Sequence, residues 1–345
     1  MPSQLQRVLQ ALEPRLKRQR PLARACPQLL LDLAALLSGL RPLIMLDHAA
    51  GVTPAQLLQA LQPLPQLLPT FQGCILHLEG CCYLANSRQL QHHLTQLAHS
   101  TSSSSSWPAI IIFVDGQAAL AQPEQCQELQ QQLRVLNTAL HEQLQRWQQQ
   151  QQQASEAAAC GCEAPAQSQQ QPMQHHSAGN SRGGSSSSSS SLMPTIELGT
   201  IQGLPAMPTL NGFLLGYPAV YWVRGLDDAA AASKVLSLSR LKLHRVHGSC
   251  SAVAALDGGT GSASNKGSRN TMLLSFTAPE ALCDAEFDCK VQQLLTRLRA
   301  VAGSGTSDVR CEVLHLAAGY VALQDLEWTW VELSVTDIDA QPVSL

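Results

Sequence analysis

Aromatic residues make up only 4% of this 345-residue chain and charged residues only 14%, well below the roughly one quarter of charged residues in an average globular protein. Lys and Arg number 22 against 25 Asp and Glu, a formal net charge of −3. That supplies no bulk field for DNA or RNA, so nucleic acid is disfavoured as a general ligand. No run of about 18 uncharged apolar residues occurs, so no segment is expected to span a membrane. No Walker or Gly-x-Ser-x-Gly motif is present, no Asp-x-Asp accompanies the strand-end carboxylates Asp47 and Asp115, and Gly258-Gly259-Thr260-Gly261 does not link a convincing strand to a helix as a phosphate loop should. Cys81-Cys82 and Cys160-Gly161-Cys162 lack the spacing of structural zinc ligands. The eleven cysteines are odd in number and too sparse for a disulfide-stapled secreted scaffold, which favours a reducing, intracellular compartment, the cytoplasm first.

Gln, Ser and Ala take the place of the missing charge. A pure glutamine run, Gln148 to Gln153, leads into Ala-, Gln-, His- and Gly-rich sequence and then seven serines, Ser185 to Ser191. Such a stretch buries too little apolar area to offset its ordering entropy, so 149–194 is read as a disordered insertion. Ser102 to Ser106 and Gly248 to Asn270 read as expanded surface loops. At the other end, 1–26 carries Arg7, Arg15, Lys17, Arg18, Arg20 and Arg24 against Glu13 alone. This acid-poor bias is shared by organelle transit peptides, but Leu5, Val8, Leu9, Leu12 and Leu16 recur at helical spacing. A basic amphipathic helix is the preferred reading, with organelle targeting kept as the alternative.

Between these landmarks the chain reads as α/β, with a mixed β-sheet and flanking helices. The segment 27–148 is the first part of the domain and 195–345 the second part of the same domain. Leu43 to Leu46, Cys74 to Leu78 and Ala109 to Val114 are short apolar runs, as expected of strands buried on both faces. Cys82 to Leu84 suits a hairpin partner of the second run. Helices are predicted over Pro27–Ser38, after Thr53-Pro54, after Asn86-Ser87, along Leu129 to Trp147 and from Pro279 to Val301. Ala219–Val223, Leu241–Val246, Met272–Phe276, Val309–Leu316 and Trp328–Val335 read as strands. Parallel pairing through helical crossovers is expected in the first part, hairpins in the second, and one sheet fed by both.

Leu210 to Val223, LNGFLLGYPAVYWV, is the most distinctive stretch. With the later SRLKLHRVH and TMLLSFTAP it resembles an uncharacterised eukaryotic family, described only as a domain of unknown function. That family has members in animals and green algae and a Gly-Tyr-Pro-Val-Val-Tyr-like signature, matched here at Gly212, Gly216, Tyr217, Pro218 and Tyr221. The resemblance spans 27 to 335 and implies one shared α/β domain, without a reaction, cofactor or catalytic residue. The residues themselves suggest a turn entering a core strand. The functional reading makes Asn211, Tyr217 and Tyr221 the rim of a ligand pocket, where amide and phenol groups supply oriented hydrogen bonds.

Asp47, Glu79 and Asp115 each follow a strand run. If those strands were parallel, their carboxylates would converge on one rim and could hold Mg²⁺ for phosphate chemistry. The competing reading is that an Asp after a strand starts a turn. His92-His93, His175-His176, His244 and His247 form no closed ligand set. The preferred functional expectation is a non-enzymatic protein whose helices and low-complexity tract bind protein partners. The alternative is a divalent-metal-dependent hydrolase acting on a phosphorylated small molecule.

Overall fold

A computed structural model of the protein describes residues 2–49, 51–99, 107–159, 193–256, 271–302 and 328–339. The chain opens on a helical hairpin, α1 (Gln4–Arg18) and α2 (Arg20–Leu37). Ser3 accepts the Gln6 N–H at 3.0 Å, while Arg15, Lys17 and Arg18 occupy the last turn of α1, where cations suit the helix dipole. The apolar stripe Leu5, Val8, Leu9, Leu12 and Leu16 is fully buried, so the basic segment packs into the core as part of the fold. Pro21 in the first turn of α2 starts the second helix ahead of the expected Pro27.

Strand β1 (Leu43–Met45) is followed by a single 3-10 turn, then α3 (Pro54–Leu61), opened by the Thr53–Gln56 capping box, and the short α4 (Leu64–Leu67). Next come the hairpin β2 (Gly73–Leu78) and β3 (Cys81–Asn86), helix α5 (Ser87–His99), the hairpin β4 (Ala109–Val114) and β5 (Gln117–Leu120), and α6 (Pro123–Ala159). Then follow β6 (Thr195–Glu197), α7 (Met207–Leu214), β7 (Ala219–Tyr221), α8 (Leu226–Leu238), β8 (Leu241–Cys250) and α9 (Ser251–Ala254). Strand β9 (Thr271–Pro279), helix α10 (Ala285–Val301) and β10 (Trp328–Ile338) complete the described elements.

The α/β class with mixed sheets and flanking helices is as expected, but the strands form three sheets, ordered β1-β3-β2-β6, β5-β4-β7 and β10-β8-β9. Pairing in the first part is antiparallel, β1 with β3, β2 with β3 and β4 with β5. The parallel pairs, β2 with β6 and β4 with β7, instead join strands on either side of 160–192. The hairpin of β8 and β9 is as predicted, and β10 pairs along the other edge of β8.

Both hairpins in the first part turn through two residues, Glu79-Gly80 and Asp115-Gly116, with positive φ throughout (49°, 82°, 49° and 76°). This is the turn that matches strand twist, and Asp-Gly is one of its strongest sequence signals. It yields β5, a strand absent from the sequence expectation, which places only the helix along Leu129 to Trp147 after this run. Further boundaries differ from expectation, among them the start of the 248–270 stretch expected as a loop, where β8 runs to Cys250 and α9 follows. The glutamine run and the residues to Ala159 continue α6, the 160–192 remainder of the expected insertion lying outside the described residues. Asn211 and Gly212 lie within α7, and α10 starts at Ala285, where the Asp284 carboxylate caps Phe287 N–H at 2.9 Å. Val309–Leu316, Cys160-Gly161-Cys162, His175-His176, Gly258–Gly261 and Ser102–Ser106 also lie outside the described residues.

Two hydrophobic cores flank the first two sheets. In the first sheet Ile44, Ile75, Cys82 and Leu84 face one core, shared with α1, α2 and α3; Leu43, Cys74, Leu76 and Tyr83 face the other, shared with α5 and α6. In the second sheet Ala109 and Ile111 face the first core, Ile110 and Ile112 the second. Burial on both faces is why these strands read as unbroken apolar runs. Tyr217 packs against both cores and marks the seam between them.

Candidate functional site

The Gly-Tyr-Pro signature is a helix stop that becomes a strand entrance. Gly216, at φ 70°, is the left-handed residue after α7; Tyr217 N–H donates to Gly212 O at 3.0 Å and Gly216 N–H to Phe213 O at 3.1 Å. This pair of bonds defines a Schellman cap, and Pro218 just beyond it cannot prolong the helix. Thr209, fully buried, closes the loop from α7 to the end of β7. Its hydroxyl donates to Tyr221 O at 2.9 Å and accepts from Val223 N–H at 2.9 Å. Gly212 lets α7 lie on β7, since a Cβ there would stand 2.9 Å from Val220 Cγ2.

A cavity of about 590 Å³ opens beside this segment. Its walls come from α7 and its first turn, Tyr217, β7, the start of α8, residues 275–277 of β9, Met45 at the end of β1 and Glu79 in the β2–β3 turn. All three sheets therefore reach it. The three residues expected to rim a pocket, Asn211, Tyr217 and Tyr221, all line it.

Their commitments differ. Asn211 Oδ1 accepts from the Tyr83 hydroxyl at 2.6 Å; this orients the amide, and no described residue takes its Nδ2 donors. The Tyr221 hydroxyl donates to Thr277 O at 3.0 Å and its ring stacks on Phe113 with centroids 5.9 Å apart, tying β7 to β9. Burial pushes the Tyr221 phenol up to about 12. The half-buried Tyr217 tilts against Phe276 at 6.0 Å, and its hydroxyl makes no hydrogen bond with a described residue. Burial raises its pKa, opposed by the nearby Arg41 charge and reinforced by Asp47. Tyr217 is thus the least committed polar group at the seam.

The three carboxylates considered for Mg²⁺ have separate settings. Asp47 caps its own 3-10 turn by accepting His48 N–H at 2.8 Å and meets His48 Nδ1 at 3.1 Å, which holds its carboxyl below the usual range. Glu79 and Asp115 sit at the tips of different hairpins, and only Glu79 reaches the cavity. Among the described residues, no group of three or more His, Cys, Asp or Glu could hold a metal ion.

Other polar residues were not singled out by their spacing. Asp32, buried in α2, lies 3.8 Å from Arg41 Nη1 and 3.6 Å from His48 Nε2; burial raises its pKa. Its sequence signal was one carboxylate inside the apolar run Leu29-Leu30-Leu31-Asp32-Leu33. The Asp47 carboxylate raises the His48 pKa. His93, buried on α5, donates from Nε2 to Phe213 O at 2.7 Å; burial, with the Arg297 charge beside it, pulls its pKa down to about 4. His244 stacks on Phe276 with centroids 4.9 Å apart, and neither ring nitrogen has a hydrogen-bond partner among the described residues.

Fold and site together define an α/β protein of mixed sheets with an uncommitted cavity where its two cores meet. The sequence matches the family model described as a domain of unknown function (DUF4504) over residues 14–301, and the chain belongs to that family. No curated protein and no solved structure matches it. No helix among the described residues is long and apolar enough to cross a membrane.

Proposed function

We propose that this is a non-enzymatic binding protein whose ligand is a small organic molecule held in the seam cavity. The observation that carries this reading is convergence: Asn211, Tyr217 and Tyr221 line one cavity in a chain with only four tyrosines, and a third, Tyr83, orients Asn211. Its 590 Å³ falls within the range of about 300 to 1,000 Å³ common for small-molecule sites, and its walls combine apolar surface with a few polar groups. The hydrolase alternative requires carboxylates on one rim and cations to meet a phosphate. Glu79 is the one carboxylate among the described lining residues, none of which is Lys or Arg, so that alternative gains no support here.

The test is a fragment screen by ligand-observed NMR on the full chain and on Ala229→Phe, which places a phenyl group into the cavity from the first turns of α8. Fragments that bind the parent should be lost in the variant while its melting temperature is retained. A screen without hits, or hits indifferent to Ala229→Phe, contradicts the reading.

A further inference from the structure

The geometry points to an organic cation, an alkylated or protonated amine, as the ligand class of the seam cavity; this rests on the cavity being a binding site. The first observation is the charge of the wall: Glu79 is its one ionised side chain among the described residues, and it stands at the rim, exposed on the β2–β3 turn. A second carboxylate, Asp47, lies near enough to Tyr217 to act on its phenol. Arg41 acts on Tyr217 more strongly than Asp47 does, but neither lines the cavity: Arg41 is 3.8 Å from buried Asp32 and its Nη1 donates to Leu273 O at 3.2 Å, and Asp47 is paired with His48 at 3.1 Å. Among the described residues that line the cavity itself, the one formal charge is therefore that of Glu79.

The second observation is aromatic. Of the nine Tyr and Phe residues in the chain, Tyr217, Tyr221 and Phe276 line this one cavity. Phe276 also stacks on His244, whose pKa desolvation lowers. Aromatic rings attract cations through the ring quadrupole, and a cluster of aromatic side chains is a recurring setting for ammonium groups.

The feature that argues for an anion is the pair of helix N-termini, α7 and α8, in the same wall. The first turn of α7 contains Pro208, which has no N–H, and that of α8 carries Asp227 and Asp228, which already answer its dipole and repel a second negative charge. Against what remains of these partial charges stands the full charge of Glu79 in the same wall.

Three probes of nearly one shape separate the possibilities: choline, its uncharged carbon isostere 3,3-dimethylbutan-1-ol, and the anion 3,3-dimethylbutanoate. Their affinities for the full chain can be measured by ligand-observed NMR, with Ala229→Phe as the control for the site. Choline should bind about tenfold more tightly than the alcohol, with the anion weakest. Glu79→Gln should reduce that preference severalfold without changing the affinity of the alcohol. Equal binding of choline and alcohol, or tighter binding of the anion, overturns the cation inference and leaves the cavity a ligand site. Failure of all three to bind overturns the inference and weakens the binding reading itself.

Discussion

The two sides of the Leu210–Val223 segment differ in how completely their side chains are committed. On the packed side Leu210, Phe213, Trp222 and Val223 are buried, Thr209 has spent its hydroxyl on β7, and His93 holds the Phe213 carbonyl. On the cavity side Tyr217 has no hydrogen-bond partner among the described residues and Asn211 is held at one end only. One short stretch can thus be a core strand entrance and a candidate ligand site, because the alternation of faces assigns the two jobs to different residues. The comparison predicts that substitutions on the packed side change stability and that those on the cavity side change binding.

The largest effect is expected at Trp222, where truncation to Ala should cost about 3 to 5 kcal/mol in a denaturant melt, the usual range for a large buried aromatic. A loss below about 1 kcal/mol would place the ring outside the core. Next is His93. Its folded pKa lies below the ordinary value, so the unfolded chain takes up the proton more readily and stability falls with acidity. Between about pH 6.5 and 4 the loss should reach on the order of 3 kcal/mol. His93→Gln removes this titration, and its stability should decline less steeply over the same window. Equal slopes in the two proteins would mean that the imidazole is not buried in its neutral form. Smaller again is Gly212→Ala, whose Cβ meets Val220; overpacking of this kind costs about 1 to 3 kcal/mol, partly offset by better helix propensity. A neutral or stabilising result would show that α7 can shift on β7.

Much of the fold was legible because local chemistry and tertiary context agree. Thr53-Pro54, Asn86-Ser87, the Leu129–Leu144 stripe and the buried strand runs each became the element their pattern indicates. Strand direction was not legible, because burial on both faces produces the same apolar run in a parallel or antiparallel neighbour. Asp115-Gly116 carried the correct hairpin signal, and reading it as the rim of a parallel sheet hid β5. The helix α7 was missed because Gly212 looks like a turn residue, whereas here it is the small residue that lets α7 approach Val220. The stretch holding Asn211, Tyr217 and Tyr221 stood out because polar-tipped aromatics such as its tyrosines are rare in this chain, and all three residues line the cavity. That Glu79 joins them depends on a meeting of three sheets that no local pattern encodes.

The division between packing and binding is tested most directly at Tyr217. Tyr217→Phe removes one hydroxyl and almost no volume, so its thermal melt and its affinity for the fragments bound by the parent protein can be measured side by side. The account predicts a stability within about 0.5 kcal/mol of the parent, together with affinity for hydroxyl-contacting fragments weakened roughly five- to tenfold, the worth of one hydrogen bond. Unchanged affinity with a clearly lowered melting temperature would contradict it and return Tyr217 to the packed side.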